Sequence, residues 1–377
     1  MNLSFLEPVF AASGPFATVL ADVTHTTENA DAELELRVRA VTEKLSEQGV
    51  PEPVLEAVRS RLLEGNDGGE AGRLKGRAVV VAADGSVVLD QGLAAAPVRE
   101  IAEWAASPDL LPILRQLAGR VPHVVVVADR VGADITVAGL GDQPDEERQV
   151  EGDTFHMRKV QVGGWAHNTY MHTAENQWVE NADKVAADIG SLARRIGPRF
   201  VLLAGDVRAR QILSDRAGGG WSDLVVTMDG GGRAAGADRH PVDARAAELV
   251  AEHEAREVSE TIEKIEGAAA YGLSVTGVDR VVEALRKGQV ETLVLTDEQD
   301  AGATLLVGNG PLELGVDQKD MDALGVHGEI VPADRALLAA AVASAADVVV
   351  VPKAAMPEDV PVAAVLRYAD ASTDVGS

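Results

Sequence analysis

The 377-residue chain contains no cysteine, which excludes disulfides, thiolate metal sites and cysteine nucleophiles. Aromatic residues are scarce, with five Phe, four Trp and three Tyr. No run of 18 apolar residues occurs, so no membrane span is expected. The opening residues, Met1 to Pro8, lack the basic region and apolar core of a signal peptide, and the expected location is the cytoplasm. Positive charge is also short: 34 Lys and Arg face 60 Asp and Glu, a net charge of -26. Such a chain cannot coat DNA or RNA through general electrostatics, so any nucleic-acid contact must be local.

Catalytic signatures are missing as well. Gly230-Gly231-Gly232-Arg233-Ala234-Ala235-Gly236 has three residues before its last glycine where a dinucleotide loop has two, and no Gly-Lys-Ser/Thr exists. The run is expected to be a linker. His167 and His172 lie five apart with no Glu between them, so a His-Glu-x-x-His zinc site is excluded. There is no Gly-x-Ser-x-Gly elbow to anchor a hydrolase triad. Asp206 reads as a helix cap and Asp215 as part of a solvated face. No metal or cofactor is expected.

One further absence is informative. Residues 154–174 contain no carboxylate, yet they carry Arg158, Lys159 and three of the eight histidines, His156, His167 and His172. Gly163-Gly164-Trp165 sits at the centre of this stretch, which reads as a locally basic loop. An apolar seam follows with helical spacing: Met171, Ala174, Trp178, Ala182, Val185, Ile189, Leu192 and Ile196, closed by Gly197-Pro198. The pattern predicts a long stiff helix with the loop on its end. A glycine turn whose Trp folds back on its own domain fits the residue types equally well.

Length and pattern predict three α/β (α+β) domains with mixed sheets and flanking helices, divided as 1–119, 120–240 and 241–377. The first holds a strand at 16–23, helices at 32–47 and 51–63, a hairpin turning at Asp84-Gly85 and a helix near 108–117. The second opens with a hairpin, 123–128 and 134–139, followed by an acidic loop at 142–147. It continues through the long helix, an apolar strand at 200–205 and a helix to about Arg216. The third is reached through a helix from Pro241 to Ile265. Helices at 277–287 and 333–345 then alternate with strands at 290–295, 304–307, 348–351 and 362–367.

Several segments together resemble the class-1 release factor and Pelota family of archaea and eukaryotes. In the middle domain these are Val124 to Asp129, Gly163-Gly164-Trp165 with its helix, and Val201-Leu202-Leu203-Ala204-Gly205. In the last domain they are Tyr271 to Asp279, Val282 to Leu293 and Pro361 to Tyr368. The resemblance implies release-factor-like and Pelota-like folds for these two domains. It also implies that the glycine loop enters the peptidyl-transferase centre, where the family's Gly-Gly-Gln residue positions water against the peptidyl-tRNA ester.

Two departures bear on that function. Trp165 stands where the family has glutamine, and an indole offers one N–H donor and no acceptor. The first domain shows no Asn-Ile-Lys-Ser-like stop-codon loop. A member with neither feature is similar to the Balon-like ribosome hibernation factors of bacteria, which occupy the A site with elongation factor Tu and do not hydrolyse. That likeness implies a ribosome-binding plug with rRNA contacts at Arg158, Lys159, Gly163, Gly164, Trp165, His167, Asn168 and Tyr170. Arg158 and Lys159 would meet phosphates, and Trp165, His167 and Tyr170 would offer faces for unpaired bases. The alternatives are a peptidyl-tRNA hydrolase or rescue factor of the same family, and an adaptor whose last domain docks a partner protein.

Overall fold

The computed structural model describes the chain except residues 1–2, 25–28, 65–73, 94, 119, 140–145, 152–164, 219, 235–236, 298–302, 358–359, 371–372 and 374–377; at 165–178 it describes the backbone alone. The described chain forms two compact units. One takes the sequence up to Gly119 and again from Ala255 onward; the other is Arg120–Glu254. Segments expected to form separate first and last domains therefore share one unit.

The first unit opens with α1 (Glu7–Ala11), β1 (Phe16–Asp22), α2 (Ala30–Glu47), α3 (Glu52–Leu63), β2 (Gly76–Ala82), β3 (Val87–Leu93), β4 (Ile101–Ala105) and α4 (Leu111–Ala118). The sheet order is β3-β2-β1-β4, antiparallel throughout. β1 is buried almost throughout because both faces of its sheet are covered. Ala17, Val19 and Ala21 pack under α2 and α3, while Phe16 and Leu20 join the core shared with the last third of the chain. β4 was not anticipated: Ile101-Ala-Glu-Trp-Ala105 is short and is held by its pairing to β1.

The second unit contains β5 (His123–Ala128), β6 (Gly132–Ala138), β7 (Glu146–Glu151), α5 (Trp165–Ile196), β8 (Phe200–Gly205), α6 (Val207–Asp215), β9 (Val225–Thr227) and the first turns of α7 (His240–Ala269). The sheet order is β7-β6-β5-β8-β9, with β5, β8 and β9 parallel and the other pairs antiparallel. Alternation along the strands divides the core. Val124, Val126, Val201 and Leu203 face α5 and α6, whereas Val125, Val127, Phe200 and Leu202 face Val242, Ala246 and Leu249 of α7. Glu146 and Glu147, expected in an acidic loop, begin β7 instead. An edge strand with alternating exposure tolerates charge at nearly every position.

The first unit resumes with the end of α7 and then β10 (Ser274–Thr276), α8 (Val278–Arg286), β11 (Val290–Thr296), β12 (Thr304–Val307), β13 (Leu314–Gly315), α9 (Gln318–Leu324), β14 (Glu329–Pro332), α10 (Ala333–Ala343), β15 (Asp347–Val351) and β16 (Val362–Leu366). The main sheet runs β10-β16-β11-β15, and a small sheet runs β13-β12-β14. Leu285, Leu293 and Leu337 share one core with Leu6, Val80, Ile113 and Leu114 from the start of the chain. A polar clasp accompanies that core. One guanidinium nitrogen of Arg335, in α10, donates to both carboxylate oxygens of Glu103, in β4, at 2.8 and 3.0 Å, and the other terminal nitrogen donates to the Ser107 carbonyl at 2.6 Å.

Candidate functional site

Three contacts fix the direction of α5 on its sheet. Asn181 donates its amide to the carbonyl of Arg130, just past the end of β5, at 3.3 Å. Asp188 pairs at 3.7 Å with Arg148, within β7. Arg195 donates to Glu146, at the start of β7, at 2.5 Å. That bond, ahead of the one from Arg148, holds the Glu146 carboxyl below its ordinary pKa. The helix thus starts from the Ala128–Gly132 end of the sheet and returns toward the other. Between these points Ala182, Val185, Ile189, Leu192 and Ala193 are buried, the second half of the seam read in the sequence.

The backbone from Trp165 to Asn181 continues the helix beyond that end by about 24 Å, at roughly 1.5 Å per residue. β7 stops at Glu151, opposite Gly132, at the same end. Both stems of the carboxylate-free stretch therefore leave from one edge of the sheet. Arg158, Lys159, Gly163 and Gly164 lie outside the described residues. Trp165, His167, Asn168 and Tyr170 belong to the first two turns of α5 and not to a loop. No Gly or Pro follows Gly164 until Gly190, so nothing stops the helix propagating back to the glycine pair. At about 100° per residue, positions 165 and 168 fall on one side of the helix and 167 and 170 on another. The first turn carries no acidic residue, which leaves the positive end of the helix dipole uncompensated from within the turn.

The loops around these stems are tied down from inside. Asp206 caps α6 as expected, its Oδ1 accepting from the amides of Arg208 and Ala209 at 3.0 and 3.1 Å. Asp129 Oδ1 accepts from Val131 and Gly132 at 2.8 and 2.9 Å. Burial raises its pKa, but those amides and Arg233 outweigh it and hold the carboxyl below the usual range. The glycine run after β9 is strapped to this end: Gly205 donates to Gly230 at 2.8 Å, and Arg233 reaches Asp129 and Asp134 at 3.0 and 2.9 Å. Gly231 has φ +79, and a Cβ there would meet Val242 at 2.8 Å, so the position needs glycine. The sequence offered no sign of the Arg233 pairs, whose partners lie 99 and 104 residues away. Among the described residues no cluster of three or more His, Asp or Glu could hold a metal, and no described helix is long and apolar enough to cross a membrane.

The second unit is thus a mixed sheet carrying one long helix that runs past its end, the arrangement expected for the middle domain. Residues 122–270 match the family model "Bacterial archaeo-eukaryotic release factor family 2". Over its whole length the chain is 26% identical to "Uncharacterized protein Rv2629" of Mycobacterium tuberculosis H37Rv, covering 100% of this chain and 99% of the relative. Solved structures similar to it include Pelota of Archaeoglobus fulgidus, at 17% identity and TM-score 0.36, covering 78% of this chain and 80% of that one. Another is the ribosome-bound archaeal Pelota with ABCE1, at 15% identity and TM-score 0.37, covering 96% and 93%.

Proposed function

We propose that this chain is a ribosome hibernation factor: it occupies the ribosomal A site, directs residues 154–174 into the peptidyl-transferase centre and does not hydrolyse peptidyl-tRNA. The observation that carries the reading is Trp165, the first residue of α5, standing directly after Gly163-Gly164 in a stretch without carboxylates. The segment's match to a release-factor family model supports a place on the ribosome. A chain of net charge -26 must approach rRNA through a surface freed of negative charge, and this stretch is such a surface. Arg158, Lys159 and the helix N-terminus suit phosphates, while Trp165, His167 and Tyr170 suit unpaired bases. Without the glutamine of the family, water has no side-chain amide to orient it. The last third of the chain resembles the domain that contacts a translational GTPase in that family, which supports elongation factor Tu as the proposed partner.

The test is peptide release and sedimentation on purified ribosomes carrying peptidyl-tRNA. The expected result is stoichiometric ribosome binding with release at background. Release well above background at sub-stoichiometric protein would establish a hydrolase instead, and failure to sediment with ribosomes would leave the adaptor reading. Elongation factor Tu is expected to co-purify with the bound protein from stationary cells.

A further inference from the structure

We propose that the seam between the first and last thirds of the chain is a proton-controlled clasp: Asp109 and Asp334 crowd Glu103 around Arg335, so that the seam opens more readily as pH rises. The device is independent of the ribosome reading. The bonds from Arg335 to Ser107 and Glu103 span 228 and 232 residues, and the Arg335 side chain is 12% exposed. Those bonds bring two further carboxylates to the same place. Asp334 precedes Arg335 in the first turn of α10. Asp109 lies two residues past Ser107, between Pro108 and Leu110, both buried. Leu110, Leu111 and Leu114 from the first third then share one core with Ala333, Ala336 and Leu337 from the last.

Charge in this cluster does not balance. Both terminal nitrogens of Arg335 are engaged by Glu103 and Ser107, and Arg99, the other cation acting on Asp109, stands on the exposed loop before β4. Burial therefore outweighs Arg335 at both aspartates, raising the Asp109 carboxyl to about 6 and moving Asp334 in the same direction. Opening the seam hydrates these groups, and Asp109 then ionises near the ordinary 3.9. Between about pH 4 and 6 the closed seam holds a proton that the open one has released, so closure is favoured at the acid end and loses that advantage as pH rises through about 6. For Asp109 alone the opening equilibrium grows about tenfold between pH 5 and pH 7.5. Asp334 adds to it with the same sign.

The test is native-state amide hydrogen exchange on the full chain at pH 5 and pH 7.5, corrected for the intrinsic exchange rate. In the native protein, opening at β4 and α10 should rise by about tenfold or more from the lower to the higher pH. The buried half of α5, in the other unit, should not change and serves as the control. Asp109→Asn should hold the seam near its acid-side level at pH 7.5 and lose about a tenfold share of the pH dependence. Equal opening of the native seam at both pH values overturns the proposal whatever the variant does. A full response that persists in Asp109→Asn overturns it too. So does a rise that is as large in α2 and α3 as at the seam, because the proton would then act on the whole unit and not on the clasp.

Discussion

The side-chain amide of Asn181 meets the carbonyl oxygen of Arg130 at 3.3 Å, and Asn181 is itself 4% exposed. This pair sits where α5 passes the end of the sheet. From Asn181 to Ile196 the helix buries an apolar seam. From Trp165 to Asn181 it sets the reach of the tip. Affinity for the ribosome and stability of the unit are therefore expected to depend on different halves of the same helix.

Ile189→Ala tests the packed half. Ile189 is fully buried between α5 and the sheet, so truncation leaves a cavity and is expected to cost about 2–5 kcal/mol. Denaturant unfolding should show a lower midpoint. At temperatures where the variant remains folded, ribosome affinity should stay near native.

Arg233→Met tests the strap. Arg233 has a side chain 11% exposed and neutralises Asp134, at 18%, and Asp129, at 39%. Removing one partner of a buried pair costs about 3–5 kcal/mol, and the partial exposure of Asp129 places the expected loss near 2–3 kcal/mol. Because Asp129 titrates below its ordinary value, its stabilising contribution is present above the unfolded carboxyl range. It disappears as pH falls through the lower folded value. The difference between native and variant stability should narrow in strong acid, measured by unfolding at neutral pH and near pH 2.

Several of these features were legible in the sequence for physical reasons. Ala182, Val185, Ile189 and Leu192 declare a helix because burying one stripe requires spacing of threes and fours. Asp206 before Val207 declares a cap. What escaped was whatever long-range pairing decides. β7 has alternating exposure but mostly charged residues, and β4 and β14 are short strands held by their neighbours. The clasp between Arg335 and Glu103 spans 232 residues, so nothing near either one announces that the two ends of the chain share a core. At the candidate site, residue types disclosed the charge of the stretch. They did not disclose that the helix begins at Trp165 or that both stems leave one sheet edge.

Acid titration should report on the clasp. Burial pushes the Asp109 carboxyl up to about 6; Arg335 opposes this, and Asp334 and Glu103 reinforce it. In the unfolded chain the group ionises near 3.9. Between about pH 4 and 6 the folded state therefore holds a proton that the unfolded state has lost. This group's contribution to stability consequently falls as pH rises through that window, and its ionisation is a cost above pH 6. Asp109→Asn removes the cost. It should stabilise the protein by about 2–3 kcal/mol at pH 7.5 and by almost nothing near pH 3. An equal effect at both pH values would show that Asp109 does not titrate in this window.

Trp165 separates the functional readings. Stacking of an aromatic side chain on an unpaired base is worth about 1–3 kcal/mol by alanine substitution. Trp165→Ala should therefore weaken ribosome binding by roughly ten- to a hundredfold. If the indole instead packed on its own unit, the same substitution would lower the melting temperature and leave affinity intact. Both quantities can be measured on one sample, and a destabilised variant that binds normally refutes the proposed role. Trp165→Gln probes the chemistry. It restores the residue that the family's glycine loop carries and supplies an amide with both donors and an acceptor, where indole has a single donor. Binding should fall as for alanine because the stacking face is lost, while peptide release should rise above the native background. Release that stays at background with the variant still bound would place the block to hydrolysis elsewhere in residues 154–174, and the missing glutamine would no longer explain an inactive tip.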